Sequence, residues 1–211
     1  MIGIVNYQAN NLRSVANALK AIGAEFFIAD EPARLAKATA IVLPGVGAFS
    51  DSMTNLRRLG FIEPLQQAVR VEKKPVLGLC LGMQLMAEKS FEFGEHEGLG
   101  WLQGTVEKIE PNDQSFRVPH MGWNNLEHIS PASMLLQSIV QPAVVYFVHS
   151  YYFKPVAGAE AVVTSTVSHG LTLTATVEKD YIFGCQFHPE KSQQAGLLIL
   201  QNFVEYTKQH A

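Results

Sequence analysis

A chain of 211 residues, 47% hydrophobic and 17% charged, carries enough apolar material for a substantial core and is expected to form one domain over residues 1–211. Its formal net charge of -3 argues against a nucleic-acid or anionic-membrane surface, and its longest uncharged stretches, such as Pro75 to Ala87, are broken by Gly and Gln and fall short of the ~18 apolar residues of a membrane span. Two cysteines, Cys80 and Cys185, make no disulfide framework, and Met1 runs into IGIVNY without a basic leader, so the expected setting is a reducing cytoplasm with no signal peptide.

In chain order, IGIVNY (Ile2 to Tyr7) reads as a strand, and Leu12, Val15, Leu19 and Ile22 recur at helical spacing until Gly23 closes the helix. AEFFIA and AIVLPG (Ala40 to Gly45) are further strands, and FIEPLQQAVRV is a helix with Pro64 near its start. PVLGLC is a buried strand and LGMQLMAEKS the helix after it. Repeated strand–helix units of this length predict a parallel sheet covered on both faces. The second half changes character. TVEKIE, VPHMGWNNL, AVVYFVHSYYF, AEAVVTSTV, LTLTATVEKD and YIFGCQF read as strands, with only PASMLLQSI predicted helical among them. From Ser192 a last helix carries Leu197, Leu200, Phe203, Val204 and Thr207 at core spacing. The predicted fold is α/β with three layers: a mostly parallel central sheet flanked by helices, with added antiparallel strands in the second half.

Two segments carry the chemistry. In LGLCLG, Cys80 sits between a buried strand and a helix, with Gly78 and Gly82 removing side chains on both sides. That is the pattern of a nucleophile elbow, which forces strained dihedrals and close backbone approach. The thiol then lies at a helix N-terminus, where partial positive charge favours an anionic nucleophile, and the amide of Leu81 points to where an oxyanion would form. A buried structural cysteine is the competing reading and, on the elbow alone, about as good. The second segment, FGCQFHPEKS, offers a base and its orienter: His188 and Glu190 are held in a fixed relative direction by Pro189. A carboxylate beside an imidazole selects its tautomer and stabilises the imidazolium. Separately, His188 could be an exposed loop histidine and Glu190 a charge complementing a helix dipole. Together with the elbow, the catalytic reading is the better one.

The combination LGLCLGMQ with a distant FHPE resembles the class I (triad) glutamine amidotransferases, in which a G-x-C-x-G elbow has Gln four residues after the Cys and an H-P-E follows near the C-terminus. The glycine-bearing loop LPGVGAF (Leu43 to Phe49) is a third shared element, and the resemblance spans essentially the whole chain. It implies that family's fold, with Cys80 as nucleophile, His188 as general base and acid, and Glu190 as orienter. It implies Gln84 as a contact to bound glutamine, and Val46 or Gly47 as the source of a second oxyanion amide beside that of Leu81. IGIVNYQANNLRSVANAL, LPGVGAF, VPHMGWN and YFVHSYY further resemble the branch of the family that serves histidine biosynthesis. There the glutaminase hands ammonia to a cyclase subunit with a (β/α)₈ barrel, which forms imidazole glycerol phosphate. A heterodimer follows from that resemblance. Spacing and composition alone reach only a thiol hydrolase.

The remaining features weigh less. PGVG opens like a dinucleotide fingerprint, but Ser50 stands where its third glycine is wanted. In YFVHSYY, Val148, Ser150 and Tyr151 fall where related amidotransferases hold glutamine. Tyr146 and Phe147 read as a buried aromatic strand, and His149 as either a supporting donor or a packed imidazole. The resemblance places Trp123 near the cyclase interface, with plain core as the alternative. Lys191 would face whatever docks over the site, or is an ordinary solvated lysine. Cys185 reads as core. No metal-ligand spacing and no cofactor motif appears, and amide hydrolysis through a thioester needs neither. The alternatives are another biosynthetic amidotransferase subunit, a cysteine peptidase of related fold, a γ-glutamyl hydrolase, and a non-catalytic scaffold.

Overall fold

The computed structural model describes residues 1–8 and 11–210; Ala9 and Asn10 of the opening stretch quoted above lie outside them. A seven-stranded sheet forms the centre. Its parallel part runs in the order β2 (Phe26–Ala29), β1 (Ile2–Val5), β3 (Ala40–Gly45), β4 (Val76–Cys80), β13 (Ile182–Cys185). Two antiparallel strands, β12 (Thr172–Lys179) and β11 (Val163–Ser168), extend it beyond β13. Helices α1 (Leu12–Ala21), α2 (Phe49–Arg58), α3 (Ile62–Gln66), α4 (Leu81–Gln84) and α5 (Gln193–Gln209) complete the element order, α3 continuing as a wider π-helical turn to Val71. Beside the sheet lies a four-stranded one, β10 (Tyr151–Pro155), β7 (Leu102–Lys108), β5 (Ala87–Ser90) and β6 (His96–Glu97), and a two-stranded ribbon of β8 (His120–Asn125) and β9 (Val144–His149).

The continuous apolar runs follow from this arrangement. Every residue of β3 and of β4 is buried, because helices cover both faces. Ile41 and Leu43 pack into a cluster with Met53, Leu56 and Leu65 of α2 and α3. Ala40 and Val42 point the other way, toward Val15 and Leu19 of α1 and Leu200 and Phe203 of α5. The mostly parallel sheet with antiparallel additions agrees with the sequence expectation.

Several elements differ from it. LGMQLMAEKS is not one helix. After Gln84 the carbonyls that would propagate it are taken elsewhere: Leu85 O by the Leu99 amide, Met86 O by Trp101 and Leu102, and Ala87 O by Gly100. Those bonds replace intrahelical ones at similar strength, about 0.5–1.5 kcal/mol each, and the strand β5 gains pairing with β7. PASMLLQSI is a series of turns. The Glu178 carboxylate captures the amides of Met134 and Leu135, and Asn202 donates to Leu135 O and Gln137 O, so side chains of β12 and α5 hold this backbone out of a helix. Helix α2 was not expected, although Phe49, Met53 and Leu56 are its buried stripe. Finally, AVVYFVHSYYF is two strands. It breaks at Ser150, so that β9 pairs with β8 and β10 with β7. Phe147 is buried as expected, whereas Tyr146 is half-exposed.

Candidate active site

Cys80 ends β4 between β3 and β13, with φ +53° and ψ -110°. Positive φ in a non-glycine residue costs free energy and persists only where the surroundings impose it. The two flanking glycines explain how. A Cβ at Gly78 would lie 2.6 Å from the Met83 nitrogen, and one at Gly82 would lie 1.8 Å from the Leu43 oxygen. Neither position can hold a side chain, so the strand and the first turn of α4 close tightly around the cysteine. Because α4 has only four residues, the help expected from a long helix dipole reduces to the free amides of one turn.

Strand β13 runs parallel to β4, with Cys185 opposite Leu79, and delivers His188 just beyond the sheet edge where Cys80 sits. The backbone there is fixed: His188 N donates to Tyr146 O at 2.9 Å, and Ser192 Oγ donates to His188 O at 2.6 Å. His188 Nδ1 lies 2.8 Å from Glu190 Oε1, both side chains fully buried. Asn11 Nδ2 donates to the same oxygen at 3.2 Å. Burial pulls the His188 pKa down, but interaction with the Cys80 sulfur and the Glu190 carboxylate outweighs it and raises it to about 9. Burial pushes Glu190 up, and its bond and attraction to His188 more than reverse that, leaving it below the usual carboxylate range. His188 Nε2 is buried with no hydrogen-bond partner among the described residues. Among the described residues the hydrogen-bond contacts of the Cys80 sulfur are long, Gln186 Nε2 at 3.8 Å and Val148 O at 4.0 Å.

Cys80 and His188 open into one cavity of about 340 Å³. Val46, Gly47, Leu81, Gln84, Ser150 and Tyr151, all singled out from the sequence, line it with them. Gly47 has φ +103°, so the loop between β3 and α2 depends on glycine at that point. Just before the loop, the Tyr7 hydroxyl donates to Pro44 O at 2.7 Å. Gln84 is already engaged: its amide nitrogen donates to Tyr151 O at 2.7 Å and Gln186 Oε1 at 3.0 Å, leaving Oε1 for a ligand. Trp123 and Lys191 lie outside the cavity. Trp123 is 49% exposed, so the core alternative is excluded. Its ring and the Lys191 ammonium each approach Tyr146, at 5.8 Å, and the three form one surface array beside exposed Met121.

Sequence reasoning missed Glu92, Pro119 and Asn11. Glu92 and Pro119 line the cavity. Glu92 Oε2 accepts the Phe49 amide at 2.5 Å, and burial raises its pKa against that bond. Nothing local marks either residue, and Asn11 is 179 positions from Glu190. A thiol on a strained elbow, a buried imidazole–carboxylate pair and free amides around one cavity are the parts of an acyl-transfer site that attacks an amide carbonyl.

The sequence pattern of the class-I glutamine amidotransferases matches residues 4–206, and the chain belongs to that family. A solved glutamine amidotransferase superposes with a TM-score of 0.75 at 20% identity, covering 98% of each chain, and PurLQS from Thermotoga maritima with 0.72 at 18%, covering 97% of each; these two speak for the fold. Within the family the chain groups with the HisH subunits of imidazole glycerol phosphate synthase. Imidazole glycerol phosphate synthase subunit HisH 1 of Campylobacter jejuni (strain RM1221) is 48% identical over 97% of this chain and 99% of its own. The HisH subunit of Bacillus licheniformis is 42% identical over 99% of this chain and 98% of its own. Among the described residues no helix is long and apolar enough to cross a membrane.

Proposed function

We propose that this chain, acting as one domain in the cytoplasm, is the glutaminase subunit of an imidazole glycerol phosphate synthase and supplies ammonia to a (β/α)₈-barrel cyclase. The observation that carries the reading is the convergence of the Cys80 elbow and the buried His188–Glu190 pair on one cavity. Relatives named as HisH subunits along nearly the full length support the particular enzyme.

Glutamine enters with its side-chain amide at Cys80. Its α-ammonium group is met by Glu92, a carboxylate in the cavity wall, and its carboxylate end by the backbone around Ser150 and Tyr151. The Cys80 sulfur attacks the amide carbon while its proton resides on His188 Nε2. Charge that develops on the carbonyl oxygen is stabilised by the Leu81 amide and by one from Val46 or Gly47; one such donor is worth roughly 10²–10³-fold in turnover. The C–N bond breaks as His188 gives its proton to the departing nitrogen, which leaves as ammonia. Neutral His188 then takes a proton from water, whose oxygen attacks the thioester. The C–S bond breaks, glutamate leaves, and the starting charges are restored. Glu190 keeps the imidazole oriented throughout, and Asn11 keeps Glu190 in place.

Ammonia released without an acceptor is lost to water, so activity is expected to depend on the partner. The array of Trp123, Tyr146 and Lys191 beside the cavity mouth is the docking face in this reading. The Val46–Gly47 loop can reorient its peptide planes at low steric cost. Docking must favour one loop state over another for control to arise. Glutamate release is expected to rise at least tenfold, about 1.4 kcal/mol in barrier, when the cyclase and its nucleotide ligand are added to the isolated chain. Equal rates for the chain, the complex and the liganded complex contradict the coupling.

A further inference from the structure

The wall of the cavity is a corner in the chain. Strand β9 ends at His149, β10 begins at Tyr151, and the two belong to different sheets. A chain of hydrogen bonds crosses from β8 to this corner. Asn124 Nδ2 lies 3.2 Å from His120 Nε2, His120 Nδ1 lies 3.0 Å from His149 Nε2, and His149 Nδ1 lies 2.9 Å from Tyr151 O. His120 and His149 are register partners across the ribbon, and both are buried.

Every proton in this chain is determined by backbone groups at its ends. Tyr151 O can only accept, so His149 Nδ1 donates and, in the neutral ring, His149 Nε2 accepts. His120 Nδ1 must therefore donate, leaving His120 Nε2 to accept from Asn124. The Asn124 amide is itself fixed, since its oxygen accepts the Asn125 amide at 2.8 Å and its nitrogen also donates to Ser168 O at 2.9 Å. Both rings are thus Nδ1–H tautomers. A second proton on either would set donor against donor. Burial works in the same direction, holding His149 at about 3 and His120 at about 4. His169 stacks on His120 at 4.2 Å and donates from Nε2 to Arg117 O at 2.8 Å, closing the outer side. Among the described residues no group of three or more His, Cys, Asp or Glu side chains is placed to hold a metal ion.

Tyr151 O also accepts from Gln84 Nε2, so one carbonyl ties the corner to a second wall of the cavity. We propose that His149, its tautomer set by Tyr151 O and matched by His120, is a positioning residue for the glutamine reaction: it holds the Ser150 corner, and through Tyr151 O the Gln84 side chain, in the arrangement that receives the substrate. This rests on the glutaminase reading above. It favours the supporting-donor reading of His149 over the packed imidazole, and it joins the cavity wall to the strand that carries Trp123.

The test uses the assembled complex with its cyclase. His149→Leu removes both bonds. His149→Asn keeps a donor near the Nδ1 position and so keeps the bond to Tyr151 O. The expected result is a tenfold or greater rise in KM for glutamine in His149→Leu, with a smaller change in kcat. His149→Asn should return KM to within about threefold of wild type, and ammonia-dependent synthesis should be unchanged in both. Nitrogen-15 imidazole spectra of the unaltered chain should show Nδ1–H tautomers for His149 and His120. A KM unmoved in His149→Leu, no recovery in His149→Asn, or an Nε2–H tautomer at His149 overturns the proposal. The spectra decide it even if a variant fails to fold. Absence of glutamine hydrolysis by the wild-type complex, with the tautomers as stated, would instead count against the glutaminase reading.

Discussion

Cys80→Ala is expected to abolish glutamine-dependent activity, by up to about 10⁶-fold as in other triad hydrolases that lose their nucleophile, and to leave ammonia-dependent synthesis by the complex at the wild-type rate. In the proposed reaction the thiol serves only to release ammonia, so a substrate that already is ammonia bypasses it. No other group can take its place: Cys185 is fully buried, and burial together with the nearby Glu178 and Glu190 carboxylates raises its thiol well above the ordinary range. Alanine is smaller than cysteine and keeps the same backbone preference, so the elbow, set by Gly78 and Gly82, should persist and the melting temperature should stay within a few degrees. Paired assays with glutamine and with ammonium check this. Wild-type glutamine turnover in the variant contradicts the nucleophile assignment, and loss of both activities points to a structural role.

The second large effect separates His188 from Glu190. His188→Asn removes the proton carrier and should nearly eliminate turnover. Glu190→Gln should cost less, because an amide can still orient the ring but cannot stabilise the imidazolium. A pH signature accompanies this. The folded-state pKa of His188 is raised to about 9, so its contribution to stability is complete below its unfolded value near 6.5 and disappears as pH climbs through about 9. The melting-temperature advantage of wild type over His188→Asn should therefore shrink across that interval. An advantage that grows with pH would mean that His188 is not held as the cation.

What could be read from the sequence was local. LGLCLG declares an elbow because the reason for both glycines, the Met83 nitrogen and the Leu43 oxygen crowding them, is expressed as a short spacing. FHPE places a carboxylate two residues from an imidazole, and the structure has that pair at 2.8 Å. The parallel strands were legible because burial on both faces leaves continuous apolar runs. The misread helices have the opposite character. In LGMQLMAEKS and PASMLLQSI the local propensity is helical, and backbone or side chains from distant segments capture the groups that a helix needs. Helix α2 carries its own signal in Phe49, Met53 and Leu56, a buried stripe at helical spacing directly after the glycine loop. Asn11 and Glu92 had no local signal, and His149 offered a supporting donor without its partner His120, since each depends on which segments the fold brings side by side.

In the proposed reaction the γ-carbonyl of glutamine is transferred to Cys80 Sγ. The most direct measurement is mass spectrometry of the complex after treatment with a chloroketone analogue of glutamine, with and without excess glutamine. The expected result is one equivalent of label, confined to the peptide that contains Cys80 and suppressed by glutamine. Label on Cys185, or label on Cys80 that glutamine fails to suppress, would contradict it.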